Sequence, residues 1–426
     1  SLARLRNQVE PVDPPVLARL ITTWQGVVRP RPGLESLLDA IENLQGAPLP
    51  ASLLETEILP ARIEGYDPAD LDALTGAGEV VWCGIERLGE RDGRLALFLA
   101  DHLARLRRPP AGDELSPREH AIVEHLRGHG ASFFSPVHEA AGGGYPGETV
   151  DALWNLVWKG HATNDTFHAV RAFVSPPERR SRRPAPGRTF RSRRLTPPSA
   201  EGRWSLLDAR IHAAASPTEA AMALARQLLS RYGIVARDVA SAEGIAGGFS
   251  GVYGVLKAME DAGRIRRGYF VGGVGATQFA IPAALDLLRS LREMPEDPEV
   301  VVVAATDPAN PYGCLLPWPA AGEAGRGPTR TVGATSILVN GSLAAYISRG
   351  TRQLLVWLPE DEPARTLTAR ALAGTLAKLA RAQDGRYALL IDEINGMPSE
   401  SHPLAPHLVE AGFSPSAMGF QMRRQA

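Results

Sequence analysis

The side chains with the chemistry to cut a base from a nucleoside are Asp307, Asp392 with Glu393 beside it, and Gln278. Base excision needs a carboxylate, or an amide, that positions water at the sugar, together with a pocket for the extruded base. Asp307 lies in Ala305-Thr-Asp-Pro-Ala-Asn-Pro-Tyr-Gly. Asp392 and Glu393 end the apolar run Leu389-Leu-Ile, and Gln278 opens Gln-Phe-Ala-Ile-Pro. Each has a plainer reading, as a turn residue, a cap or a strand-face amide. The run ending in Asp392-Glu393 has the form of an ATPase acidic strand, but no G-x-x-x-x-G-K-[ST] accompanies it, so a phosphate-cradling loop is not expected. Gly272-Gly-Val-Gly-Ala has no βαβ unit around it and reads as a tight turn. His125 and His129 share a helical face at i, i+4, His120 does not, and no acidic ligand completes a metal set. No G-x-S-x-G elbow marks a serine nucleophile.

A second kind of chemistry is phosphate binding. Arg179, Arg180, Arg182, Arg183, Arg188, Arg191, Arg193 and Arg194 crowd into one stretch with Pro176, Pro177, Pro184, Pro186, Pro197 and Pro198. Proline forbids regular structure there, so residues 175–203 read as a linker with concentrated positive charge. It is either simply solvated or binds phosphates with release of counterions. The formal net charge of the whole chain is −1, so no global basic field accounts for the cluster.

The elements that position these groups follow an order of helix, helix, helix, then strands. It is clearest in residues 218–292. A helix (TEAAMALARQLLSRYGIV) is followed by a short helical segment at 236–243, a Gly-Gly break, and a third helix at 249–261. Two short strands around glycines close the unit, which is the order of a winged helix. On the third helix Val252, Val255, Leu256 and Met259 form an apolar stripe. Ser250, Tyr253 and Lys257 fall on the other face with Glu260 and are candidate nucleic-acid contacts. Arg264, Arg266 and Arg267 flank the wing as candidate phosphate clamps.

The same order recurs upstream. Residues 1–32 carry a helix at 14–24 and read as part of a helical or winged-helix segment. Residues 33–108 have helices, an Asp67 N-cap followed by Pro68, and a hairpin signalled by Asp92-Gly93. Residues 114–174 open on the capping box Ser116-Pro-Arg-Glu. Their third helix buries Leu153, Trp154, Val157 and Trp158, and a short wing follows. After residues 175–203 comes the winged helix of 204–295. Residues 296–426 change to short strands, with Asn340-Gly341 and Asn395-Gly396 as hairpin turns and one long amphipathic helix at 364–382. That pattern points to a small antiparallel β-barrel with a covering helix. The expected class is therefore α+β, tandem winged helices followed by a β-barrel.

The chain has 426 residues, of which 44% are hydrophobic and 22% charged, as in ordinary globular proteins. Cys83 and Cys314 stand far apart without C-x-x-C neighbours, which disfavours a zinc site or a disulfide framework and points to an intracellular protein. No apolar run reaches the roughly 18 residues of a membrane span. The start at Ser-Leu-Ala-Arg, without Met and in mid-pattern, reads as a piece of a longer protein.

The stretch Gly247-Gly-Phe-Ser-Gly-Val-Tyr-Gly-Val-Leu-Lys-Ala-Met-Glu-Asp-Ala-Gly-Arg-Ile-Arg-Arg-Gly-Tyr-Phe-Val, with Thr277-Gln-Phe-Ala-Ile-Pro, resembles the C-terminal region of Lhr, the bacterial large helicase-related protein family. Leu44-Gln-Gly-Ala-Pro-Leu-Pro-Ala-Ser, Glu79-Val-Val-Trp, Leu153-Trp-Asn-Leu-Val-Trp, Thr163-Asn-Asp-Thr, Ala305-Thr-Asp-Pro-Ala-Asn-Pro-Tyr-Gly, Ile394-Asn-Gly and Pro403-Leu-Ala-Pro extend the resemblance over nearly the whole chain. It implies a superfamily 2 parent whose ATP- and Mg-dependent 3′-to-5′ helicase core lies outside this chain. It also implies an extension of tandem winged helices and a β-barrel, similar in architecture to AlkZ-type DNA glycosylases. No cofactor is expected in the chain itself. Expected partners are single-stranded or duplex DNA, the helicase core of the same polypeptide and further copies of the chain, with no membrane and a cytoplasmic, nucleoid-associated location. The Gln-x-Gln or Gln-x-Asp motif of those glycosylases has no match. Gln421-Met-Arg-Arg-Gln does not fit it, and Gln278-Phe-Ala lacks the second polar residue.

Three functions follow. The first is a nucleic-acid-binding and assembly module of a DNA-repair helicase, the second a glycosylase acting on uracil or alkylated bases, the third an oligomerisation domain. The 272–278 wing is further expected to act as a joint to the barrel, with Val271 and Phe279 buried against its strands.

Overall fold

A computed structural model describes residues 10–110, 112, 114–175, 196–211, 213–320, 327–350, 353–381 and 390–422. It divides into two compact units, residues 32–224 and residues 1–31 with 225–426.

Helix α1 (Pro14–Trp24) belongs to the second of these units; the first begins after it. Its elements are α2 (Leu34–Leu44), β1 (Leu49–Pro50), α3 (Ala51–Leu53, running into a π-turn at Leu54–Ile58), α4 (Pro68–Ala77), β2 (Val80–Arg87) and β3 (Gly93–Leu99). The Asp67 side chain accepts from Ala69 N at 2.9 Å and starts α4. Gly78, at φ 80°, ends it in the left-handed conformation that glycine adopts without steric cost. Strands β2 and β3 pair antiparallel, with β1 on the far edge of β3. The Asp92 carboxylate holds the turn by accepting from Ser52 N, Ser52 Oγ and Gly93 N.

A second module in this unit comprises α5 (Leu103–Leu106), α6 (Pro117–His129), α7 (Phe134–Ala140), α8 (Pro146–Trp158), β4 (Ala162–Asn164) and α9 (His168–Val174). The capping box at Ser116 and Glu119 forms in full. The partner of β4 is β5 (Trp204–Leu206), in the register Ala162↔Leu206 to Asn164↔Trp204. Residues 175–203 are therefore not a connection between two domains: the chain leaves this module after α9 and returns to the same module at β5. The arginines of that stretch lie outside the described residues. The 204–295 boundary moves with this, because Trp204 is fully buried against Trp154, with ring centroids 5.8 Å apart.

The second unit joins α1 to α10 (Pro217–Tyr232, counted here from Ala225), β6 (Ile234–Val235), α11 (Arg237–Ala242), α12 (Ser250–Asp261), β7 (Arg266–Gly268), β8 (Gln278–Ala280) and α13 (Pro282–Ser290). Strands run in the order β6-β8-β7, completing a winged helix. Helix α1 packs on α13 and carries a buried Arg19. Its Nη1 donates to the carbonyls of Leu291 (2.5 Å) and Glu293 (2.9 Å), and its Nε lies 3.5 Å from Glu299. This is why residues 10–31 group with the C-terminal half.

The sheet that follows contains β9 (Val300–Ala304), β10 (Thr335–Val339), β11 (Ser342–Ile347), β12 (Gln353–Val356), β14 (Glu393–Ile394) and β15 (Met397–Pro398), in the order β15-β14-β12-β11-β10-β9. β13 (Leu390–Ile391), β16 (Phe413–Ser416) and β17 (Gly419–Met422) form a separate sheet, β13-β17-β16. No closed barrel is found among the described residues; the larger sheet has two edges, β9 and β15. Helix α14 (Ala364–Arg381) covers one face, packing Leu372, Ala373 and Leu376 on Ile337, Leu354 and Val356, with Leu408 of α15 (Ala405–Glu410). Both Asn-Gly turns form as the sequence implies. Asn340 and Gly341 have φ of 51° and 81°, Asn395 and Gly396 of 54° and 78°, the double positive φ of a type I′ hairpin. A Cβ on Gly341 would lie 2.0 Å from the Pro15 carbonyl oxygen, so the β10–β11 turn abuts α1 as closely as glycine permits.

Candidate nucleic-acid interface

Helix α12 follows Gly247 and Gly248, both at positive φ. Val252, Leu256 and Met259 are buried, and the Tyr253 ring packs between Phe249 and Phe279 at 5.7 and 5.8 Å. Tyr253 is thus half-buried in an aromatic cluster, which leaves Ser250 and Lys257 as the exposed pair among the candidate contacts on this helix. The remaining outward positions are Gly251, Gly254, Ala258 and Asp261. Nothing lies within 4 Å of a Cβ built on Gly254. The surface is flat, with Lys257 rising from it. Glu260 turns toward Arg267, 3.5 Å away, so the carboxylate that sequence alone set against a DNA-facing role is paired with a wing cation.

The wing carries the other candidate cations. Arg264, Arg266 and Arg267 are exposed. Among the described residues, Lys257, Arg264 and Arg266 have no ion pair within 4.0 Å. Gln278 is buried at the base of the wing. Its Oε1 accepts from Phe270 N (2.8 Å) and Val271 N (3.0 Å), and its Nε2 donates to the carbonyls of Val271, Val274 and Gly275 at 2.8, 3.3 and 3.2 Å. With every polar atom of the amide spent on the loop, nothing is left to position a water molecule. Gln278 organises the wing, as the strand-face amide of its plainer reading. Asp238 Oδ2 accepts from Gly275 N at 3.1 Å and ties the loop to α11.

Val271 and Phe279 are buried, as the expected joint requires, but through other partners. Val12 N donates to Phe270 O (2.8 Å) and Gly272 N to Val12 O (2.9 Å), while Phe279 packs on Phe249 and Tyr253. The segment entering α1 covers the wing.

The other two excision candidates lie elsewhere. Asp307 is fully buried after β9, where its Oδ1 accepts from Ala309 N at 2.7 Å. Asn310 Nδ2 donates to Ala305 O (3.0 Å), and Arg330 donates to the carbonyls of Asp307, Asn310 and Tyr312. The Asp-Pro-Ala-Asn-Pro-Tyr motif is therefore a polar knot that fixes its own loop. Asp392 is exposed between β13 and β14, its carbonyl accepting from Ser399 N. The structure places Gln278, Asp307 and Asp392 on three separate elements. His125 and His129 stack at 4.4 Å, with burial, then the charge of His129, holding the His125 imidazole below its usual pKa. No group of metal-ligating side chains occurs among the described residues.

The third helices of the upstream modules are differently placed. On α4, Asp72 pairs with Arg171 at 2.8 Å and accepts from Phe167 N. Helix α8 packs on the β2–β3 hairpin so closely that a Cβ on Gly84 would lie 2.3 Å from Val157 O, and one on Gly93 2.5 Å from the Trp158 ring. Its exposed positions include Glu148 and Asp151. Sequence reading did not single out Arg171, which also binds Glu55 at 2.6 Å, because a lone arginine in a short helix gives no signal of its distant partners. It also passed over Tyr269, although an aromatic two residues after Arg266-Arg267 is a legible sign.

These features define a tandem winged-helix protein in which, among the described residues, the third helix α12 exposes Lys257 and the wing after it exposes Arg264, Arg266 and Arg267. Residues 12–100 and 214–300 each match the winged-helix domain of the large helicase-related protein. The chain resembles the C-terminal region of the Lhr proteins along nearly its whole length. It is 40% identical to the "Lhr helicase/ probable uracil glycosylase" of Mycolicibacterium smegmatis over 99% of this chain and 29% of that protein. It is 35% identical to the "Lhr helicase/uracil glycosylase" of Escherichia coli over 98% of this chain and 29% of that protein. The chain thus spans under a third of the relatives it matches. The solved structure of the Streptomyces sahachiroi DNA glycosylase AlkZ aligns with a TM-score of 0.49 at 12% identity, over 88% of this chain and 97% of that one. Among the described residues no helix is long and apolar enough to cross a membrane.

Proposed function

We propose that this chain is the nucleic-acid-binding accessory region of an Lhr-type DNA-repair helicase, acting beside a motor carried elsewhere in the same polypeptide in the cytoplasm. The observation that supports this most is the outward face of α12 and its wing, where Lys257, Arg264 and Arg266 are exposed without ion pairs among the described residues. A lysine on an exposed helix and arginines beside the wing let phosphates approach and release counterions. The outward side chains of α12 offer no amide or guanidinium that could bond two base atoms at once, so binding rests on the phosphate backbone and not on sequence. Fluorescence anisotropy of the purified chain with labelled duplex and single-stranded DNA across a salt series tests this. Lys257→Glu and Arg266→Glu are each expected to weaken binding on every sequence alike and to lower the salt slope by roughly 1. Absence of binding at low salt, or wild-type affinity in both variants, would reject the interface.

A second reading is base excision, supported by the printed names of the two relatives, both of which include uracil glycosylase. Alkali cleavage of a uracil-containing oligonucleotide after incubation with the chain is the assay. Of the three candidates, Asp392 is the exposed carboxylate and Asp307 the buried one, so Asp392→Asn and Asp307→Asn separate a chemical role from a structural one. A third reading, self-assembly, is decided by light scattering of the same sample.

A further inference from the structure

Tyr269 is an exposed aromatic at the wing, 46% accessible. A free tyrosine on a loop would swing through several rotamers, and ordering it on a ligand would cost conformational entropy. Here the hydroxyl is anchored, accepting from Gly273 N at 3.0 Å across the turn. The turn itself is fixed from below by Gln278, and on its far side by Asp238 through Gly275 N. The ring is thus presented to solvent on a framework that is already rigid. Arg266 and Arg267 precede it by three and two residues, and Arg264 lies before them, all exposed. Every nucleobase has a π-face, and a fixed ring beside backbone-binding cations is the composition of a single-strand surface.

We infer that Tyr269 is a stacking platform for an unpaired nucleotide, so that the substrate of this winged helix is single-stranded nucleic acid, or the edge of a duplex where bases are free. The inference rests on the nucleic-acid reading above and deepens it. Phosphates of the strand lie along Arg264, Arg266 and Lys257, and one base rests on the exposed face of Tyr269. Fully paired DNA offers no such base, so the ring contributes to single-strand binding alone.

The test uses the whole chain and an oligonucleotide carrying 2-aminopurine, whose emission falls when it stacks. Saturating wild-type protein is expected to quench the single strand and leave a fully paired duplex unchanged. Tyr269→Ala is expected to abolish the quench and weaken single-strand affinity roughly 5- to 100-fold, with duplex affinity retained. Tyr269→Phe keeps the ring and loses the bond to Gly273, so it is expected to quench the strand with an affinity between those of wild type and Tyr269→Ala. Full quenching by Tyr269→Ala, or equal loss in the Ala and Phe variants, overturns the inference and leaves the interface standing. If neither DNA binds and Lys257→Glu changes nothing, the interface reading itself falls.

Discussion

Helices α8 and α12 occupy the same place in their respective winged helices, yet their surroundings are opposite. α8 is heavily aromatic and packed along its length: Leu153, Trp154, Leu156, Val157 and Trp158 are all buried, and two glycines of the neighbouring hairpin give it room. α12 buries one narrow stripe and leaves Gly251, Gly254, Lys257 and Ala258 in solvent. The order of elements is the same, so the order does not assign the role. What differs is residue size and charge: aromatic bulk pulls one helix into a core, while small residues and a lysine leave the other bare.

The comparison can be broken at several points. The largest effect is expected at Gly84→Ala, where the new methyl would meet the backbone of Val157. Such overpacking costs about 1–3 kcal/mol, read as a lower denaturation midpoint, and an unchanged midpoint would mean that α8 does not need its close seat. Next comes the pair Glu119 and Lys159, 2.9 Å apart beneath α8. Burial pushes the Glu119 carboxyl up, but its bonds from Ser116 and Lys159 outweigh that and hold it below the usual carboxylate pKa. The stability it contributes is present above the unfolded carboxylate value and is lost as pH falls through the lower, folded one. Lys159→Met is expected to cost about 1–2 kcal/mol, with the acid-side loss of stability moving to higher pH; an unshifted acid limb would refute the coupling. The smallest effect has the opposite sign. Gly254→Ala fills open space on α12 and removes a helix-interior glycine, so stability should rise by roughly 0.5–1 kcal/mol. DNA affinity should fall at the same time if phosphates approach that face closely, and a stabilised variant with full affinity would show that they do not.

Much of this was legible in local sequence. The Asp67 and Ser116 caps, the Asn-Gly hairpins and the apolar stripe of α12 each depend on neighbours within a few residues. The parts that were not legible depend on distant ones. Nothing in Gln278 announces that its amide is consumed by the wing, nor in Asp307 that its loop is knotted by Arg330. The short helix α1 carried no sign that Arg19 reaches residues 291, 293 and 299, so its assignment to a separate N-terminal segment missed its true neighbours. Gly93 and Gly341 read as turn residues, but nothing local showed that they, like Gly84 within β2, are also contact points for other elements. The proline-arginine run showed its composition plainly, but composition does not say whether the chain that leaves a domain comes back to it.

That return, from β4 to β5 across residues 165–203, bears on how the polypeptide can be divided. A cut within the arginine run would fall inside one folded module: the piece ending there keeps β4, the piece beginning there keeps β5, and the hydrogen bonds between Ala162–Asn164 and Trp204–Leu206 hold the two together. Separation at residue 203 would instead carry Trp204 out of the aromatic cluster it completes. The stretch that reads most like a border lies inside one module, and the division between the two units falls instead between Leu224 and Ala225, within the helix Pro217–Tyr232 that opens the next winged helix.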